Sequence, residues 1–208
     1  MFIVINKEKI YSYIITLSTV VILFVMGSVA LKNGKIIQTS AKVKQVPIYK
    51  VDTKEKKLAF TMNCAWEADD MDIILDTLSK NKVHITFFIV GDFARKYPEV
   101  VKKISDAGHE IANHSNTHPH VNGLNLERNK EEIEMCSDEI ERITGNKTNL
   151  YRGPYGEYND TVINAAKSLN HKTIQWSIDT LDYTRHYWGG NVEQNRTKIR
   201  KWKYNSIS

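Results

Sequence analysis

From Lys56 onward the chain alternates short apolar runs with longer amphipathic stretches, and this alternation restricts the fold more than any other feature. Apolar runs at residues 58–62, 85–90, 110–114, 150–152 and 173–178 are short enough to be strands, and the second is β-branched and aromatic and closes on Gly91. Between them, residues 70–80 place Met71, Ile74, Leu75 and Leu78 on one helical face. Phe93, Tyr97, Val100, Val101, Ile104 and Ala107 form a second amphipathic stretch, stopped by Gly108. Residues 126–144 read as a long charged helix with Ile133, Cys136, Ile140 and Ile143 inward, closed by Gly145, and residues 160–169 as a further helix. Strands separated by helices make βα units, and such units build a parallel sheet. The expectation is an α/β fold over residues 56–183.

The N-terminus follows a different rule. After a short segment, residues 1–9, residues 10–31 carry no charge. As a helix this run spans about 33 Å, enough for a hydrocarbon core of roughly 30 Å. Tyr11 and Tyr13 stand where interfacial aromatics belong. The run predicts a single transmembrane anchor. A signal peptide is the competing reading, because Ser28-Val29-Ala30 has the small-x-small pattern of a cleavage site. Either reading puts the body outside the cytoplasm, membrane-held in the first case and secreted in the second. Residues 32–55 are polar, contain Pro47 and read as a linker.

Charge and cysteine content exclude several classes. The net charge of +5 resides in residues 184–208, a basic tail with six Lys/Arg and one Glu, so the body sums to zero. A nucleic-acid partner would need a basic face on the folded body, and none is expected. Two cysteines rule out a disulfide framework or a four-cysteine metal site.

Polar residues collect at the C-terminal ends of the strands, the rim on which barrels of βα units build their sites. His114 and His118 lie four apart just past a strand, a spacing that lets two imidazoles converge on one divalent metal. Asn63-Cys64 closes the first strand, and a Cys64 thiolate would complete a His₂Cys set, unless Cys64 is simply a small buried residue. Arg152 can fork onto a carboxylate, with Tyr155 beside it in a Gly-Pro-Tyr-Gly turn. Trp176 precedes Asp179 and Asp182, carboxylates that can pair with Arg152, orient a histidine or cap a helix. His84, His109, His120, His171 and His186 read as surface or structural. Cys136 reads as core.

Together these blocks resemble the polysaccharide deacetylase family, carbohydrate esterase family four. Phe60-Thr61-Met62-Asn63-Cys64 stands where the family has Thr-Phe-Asp-Asp, and Thr86 to Gly91 matches its second strand. Glu110 to Ser115 with His118 matches its metal motif, Arg152-Gly153-Pro154-Tyr155-Gly156 its Arg-Pro-Pro-Tyr-Gly, and Asp179 to Tyr183 its Asp-x-x-Asp-Trp. The resemblance implies a distorted (β/α)7 barrel that hydrolyses N-acetyl groups of a glycan such as peptidoglycan or chitin. It implies a zinc-type metal, with cobalt or nickel as alternatives, held by Asp-His-His, an aspartate base, and a histidine acid from a Leu-x-His block. By position, Asn63, Arg152 and Asp179 are the catalytic candidates. His114, His118 and Cys64 are the metal candidates, and Tyr155, Asp182 and Trp176 the substrate-binding ones. The implied setting is the wall of spore-forming bacteria, with cell-wall glycan as partner and the chain as a monomer.

Three departures bear on activity. Asn63 replaces the base, and an amide has no basic lone pair near neutral pH. Cys64 replaces the metal aspartate. No Leu-x-His block follows Asp182, so the chain reads as a truncated barrel lacking its last units. Impaired deacetylation is therefore expected, and a non-catalytic glycan-binding pseudoenzyme is the alternative.

Overall fold

The computed structural model describes residues 7–33 and 44–180, with side chains in the first stretch described to Val29. They fall into two units divided between Val43 and Lys44. Asp182, named above as a substrate-binding candidate, and the basic tail lie outside the described residues.

The first unit contains helix α1, Lys7–Asn33. Its Lys7–Val29 stretch is long and apolar enough to cross a membrane, and its large apolar side chains are exposed. Several of its hydroxyls bond back to the helix. Thr16 and Thr19 donate to the carbonyls of Ser12 and Ile15, and Ser18 and Ser28 to those of Ile15 and Val25.

The second unit is a parallel sheet alternating with helices. In chain order its elements are β1 (Thr61–Cys64), α2 (Met71–Lys80), β2 (Thr86–Ile89), α3 (Gly91–Lys96), α4 (Pro98–Asp106), β3 (Glu110–Asn113), α5 (Leu126–Thr144), β4 (Leu150–Tyr151), α6 (Asp160–Ser168) and β5 (Lys172–Thr173). The five strands lie side by side in sequence order, all parallel. Each unit therefore crosses to the adjacent position in one direction, with none of the reversal that marks a doubly wound sheet. The register aligns the strand ends: Cys64 pairs with Ile89, Ile89 with Asn113, Asn113 with Tyr151, and Tyr151 with Thr173. Asn63, His114 and Arg152 are thereby brought to one rim.

Asn125 caps α5 by accepting from Arg128 N–H, and Gly145 ends it at φ 75°, a left-handed conformation suited to glycine. Asn159 caps α6 in the same way, through Val162 N–H. The stretch from Phe93 to Ala107 is two helices rather than one. Pro98 disfavours helical backbone at Tyr97, so the chain breaks there and restarts as α4.

Two boundaries differ from the sequence reading. The first strand begins three residues later than expected, at Thr61, and runs on to Cys64. The linker ends earlier than residue 55. Ile48 pairs in parallel with Ile174, its N–H donating to Thr173 O at 2.9 Å and its carbonyl accepting from Gln175 N–H at 2.8 Å. Gln45 N–H donates to Asp160, and Gln45 Nε2 to Asn164. The edge of β5 offers unpaired backbone groups, and residues 45–48 satisfy them.

The core has two parts. Phe87, Ile89, Val90, Phe93, Val101, Ile104 and Ile140 pack with Met71 and Cys64 under α2 to α5. Tyr151, Ile133, Val162, Ala165 and Ala166 pack under α5 and α6. Fully burying each large side chain is worth about 1.5–3 kcal/mol, so this layer fixes the strand ends.

Candidate active site

The site is built from the residues that follow β1, β3 and β4. Along β1 alternate side chains point to opposite faces. Thr61 and Asn63 share the face of Arg152, whose Nη2 donates to Thr61 Oγ1 at 3.0 Å and whose Nη1 donates to Asn63 Oδ1 at 2.9 Å. Nη2 also reaches Gln175 O at 3.3 Å. The guanidinium is buried, lies 3.9 Å above the centre of Phe88 and 5.3 Å from that of Trp176, and leaves Nε without a hydrogen-bond partner. Burial lowers its pKa, and the charge of Asp179 opposes that shift. Arg152, Asn63, Trp176 and Asp179 are thus one neighbourhood, as the sequence expects, with an amide where a carboxylate would neutralise the cation.

Cys64 points the other way. It is buried in the core with Met71 and Leu75, and burial, with Asp70 adding to it, pushes its thiol up to about 12. The expected Cys64-His114-His118 ligand set is therefore not assembled: strand alternation turns Cys64 away from the face of Asn63, and the thiol stays protonated. Both cysteines are free, and Cys136 is core, its thiol donating to Ile89 O. Among the described residues no group of three His, Cys, Asp or Glu side chains is arranged to hold a metal.

The imidazole pair is assembled. His114 and His118 have ring centres 5.1 Å apart at an interplanar angle of 75°. His114 Nδ1 lies 2.7 Å from Arg152 O. A carbonyl only accepts, so Nδ1 carries the proton and Nε2 bears the lone pair. Burial lowers the pKa of His114 to about 3, which keeps the ring neutral. Burial also lowers His118, whose buried Nδ1 has no hydrogen-bond partner. Two neutral imidazoles, one with its tautomer fixed and one with an orphaned nitrogen, fit a divalent ion as two donors; Cys64 does not fit as a third.

A residue the sequence reading missed holds this pair in place. Ser115 and His118 both have positive φ, 69° and 60°, a costly conformation outside glycine. Glu132 of α5 over-determines it. Its Oε2 accepts from Ser115 Oγ at 2.8 Å, Asn116 N–H at 3.0 Å and Thr117 N–H at 2.9 Å, while Oε1 accepts from Thr117 Oγ1 and Arg128. Asn113 adds a second brace, accepting from Ser115 N–H and donating to Ile133 O and Ser137. The signal was present: Glu132 and Asn129 continue the Ile133-Cys136-Ile140 stripe toward the N-terminus of α5, and a carboxylate on a buried stripe calls for a partner.

Gly153 and Gly91 allow close approach. A Cβ on Gly153 would lie 2.3 Å from Glu157 O, and one on Gly91 would lie 2.3 Å from Asn116 Oδ1. Tyr155 is exposed at φ 57° beside His118 and stacks on His120, which Glu157 holds at 2.8 Å. His120, read as surface or structural, is exposed and belongs to this rim.

A sequential parallel βα sheet with paired imidazoles at its strand ends places metal-competent donors on the rim where βα folds build their sites. Residues 50–174 match the family model for polysaccharide deacetylase, and the chain belongs to that family. It is 35% identical over 160 residues to the peptidoglycan-N-acetylmuramic acid deacetylase PdaA of Bacillus subtilis, covering 76% of this chain and 57% of that one. It is 34% identical over 139 residues to the uncharacterized protein YlxY of the same organism, covering 67% of this chain and 44% of the relative. The chain thus spans about half the length of these relatives. Among solved structures, a CE4 family pseudoenzyme from Bacillus anthracis superposes with a TM-score of 0.69 at 30% identity, covering 72% of this chain and 54% of that one. A mutant of that pseudoenzyme is described as having restored enzymatic activity.

Proposed function

We propose that this chain is a membrane-anchored, extracytoplasmic cell-wall glycan protein of N-deacetylase descent, binding N-acetylated amino-sugar polymers and hydrolysing their acetamide C–N bond only weakly. The observation that carries this reading is the Arg152–Asn63 contact at 2.9 Å. In a deacetylase the attacking water must lose a proton to a base at this place, and Asn63 can orient water but not deprotonate it. Removing one positioned proton-transfer group typically costs about 10²–10⁴-fold.

His114 and His118 would hold a divalent metal, zinc, cobalt or nickel, which when bound polarises an acetamide carbonyl and lowers the pKa of water. The Arg152 carbonyl fixes the His114 tautomer, and Arg152 orients Asn63. Asp179 lies close enough to act on Arg152 electrostatically, and Trp176 and Tyr155 flank the rim. The sequential strand order supports a barrel of βα units of which the described residues contribute five strands. The apolar Lys7–Val29 stretch, with the Thr16, Ser18, Thr19 and Ser28 hydroxyls bonded within the helix, supports a single membrane span.

A second reading, a pseudoenzyme that binds glycan without hydrolysis, is favoured by the burial of Cys64, which removes the third metal donor. The test is to assay acetate release and glycan retention together, using the full chain in detergent with an N-acetylglucosamine oligomer and added zinc. Weak, chelator-sensitive release with retention supports the first reading; retention alone supports the second. Robust turnover or lack of retention overturns both.

A further inference from the structure

We propose that Trp66, together with the His120–Tyr155 stack, forms a sugar-stacking platform at the imidazole pair, so that a β-linked N-acetylhexosamine chain is held there by aromatic faces independently of hydrolysis. Trp66 follows β1 by two residues, is 67% exposed, and lies outside the family motifs matched above. Its ring meets His118 edge-on, with centres 5.2 Å apart and planes at 65°. Tyr155, 59% exposed, meets the same imidazole at 4.8 Å and 66°. Two exposed aromatics from different βα units thus converge on one ring.

Tyr155 is held rather than loose. It sits at φ 57° between Pro154 and Gly156, strain that persists only where the surroundings impose it. His120 stacks on it at 4.3 Å with planes 14° apart, and Glu157 anchors His120 while also accepting from Asn122 N–H. Presenting a rigid aromatic face to water costs hydrophobic free energy that the fold does not recover by itself. A pyranose ring has an apolar C–H face that matches the negative π-face of an aromatic ring, and its hydroxyls remain in water. The chemistry that covers these faces is therefore a saccharide of at least two rings, one on Trp66 and one on Tyr155.

This inference rests on the glycan-binding reading, and the experiment separates the two. Binding of tetra-N-acetylchitotetraose to the full chain in detergent is measured by calorimetry for wild type, Trp66→Ala, Trp66→Phe and Ile73→Ala, the last an exposed apolar control on α2. The expected result is that Trp66→Ala weakens binding by about tenfold or more, roughly 1.4 kcal/mol, while Trp66→Phe and Ile73→Ala stay near wild type. Wild-type binding that Trp66→Ala leaves intact overturns the platform and spares the functional reading. No binding by wild type overturns the functional reading, and the platform falls with it. Circular dichroism of Trp66→Ala checks folding; should it unfold, Tyr155→Asn, which tolerates the positive φ and removes the second aromatic face, is read in its place, and unchanged binding by it overturns the platform.

Discussion

Arg152 donates from Nη1 to Asn63 Oδ1 across 2.9 Å, so a buried guanidinium at the end of β4 is anchored by a neutral amide at the end of β1. A buried cation is stabilised best by a carboxylate, and the same geometry would accept one without moving the backbone. Asn63→Asp is therefore expected to raise stability by about 1 kcal/mol, read as an upward shift in the denaturation midpoint. It also supplies a base, so acetate release should rise by at least about a hundredfold if proton removal is the missing step. A stabilised variant with unchanged release would show that the base is not what limits this chain.

Glu132 gives the sharpest stability forecast. Glu132→Ala leaves the N–H groups of Asn116 and Thr117 and the Ser115 hydroxyl without their acceptor inside the protein, at an expected cost of about 3 kcal/mol in denaturant unfolding. Glu132→Gln keeps the oxygen that receives those three donors but puts an NH₂ opposite Arg128, and should cost only about 1 kcal/mol. Equal losses for the two variants would mean that charge rather than acceptor geometry holds the loop.

Much of this architecture is legible in the sequence because it is written in local chemistry. Leu126 and Thr144 bound α5 as read, since an Asn cap and a glycine stop are short-range signals. His114, Arg152 and Asn63 reach one rim because strand ends in a parallel sheet share a level. The ligand set failed on the fate of Cys64, because β1 runs on past residue 62 to Cys64 and alternation then sends Asn63 and Cys64 to opposite faces. Glu132 was missed because a charged residue on a charged helix looks solvated until the loop that covers it is in place. The docking of Ile48 beside Ile174 joins residues 126 apart in sequence, and no local pattern announces it.

Acid should destabilise the body through its buried histidines. Burial lowers the pKa of both His109 and His171 below the ordinary value of 6.5. His109 Nδ1 accepts from Ile85 N–H, and His171 Nε2 faces the hydroxyls of Thr148 and Ser137, so the neutral rings are the ones the fold uses. Above about pH 6.5 folded and unfolded rings are both neutral and the contribution is complete. As pH falls further, the unfolded chain takes up protons that the folded form resists, and stability declines toward the folded pKa values. The denaturation midpoint should drop between pH 7 and pH 5, and His171→Gln, which keeps a polar group near Nε2, should flatten part of that slope. An identical slope in the variant would remove His171 from the account.

The two cysteines test which face β1 presents. Cys64 and Cys136 are buried in one apolar layer, and burial pushes both thiols up to about 12. A thiolate-selective reagent at pH 8 should therefore find almost no reactive thiol in the native chain and two after denaturation. Zinc should not change this, and Cys64→Ala should leave zinc affinity unaltered while lowering stability by about 1 kcal/mol through the lost packing of sulfur. Prompt native labelling of Cys64, or protection that appears only when zinc is added, would place its thiol on the rim with His114 and His118 and return it to the ligand set.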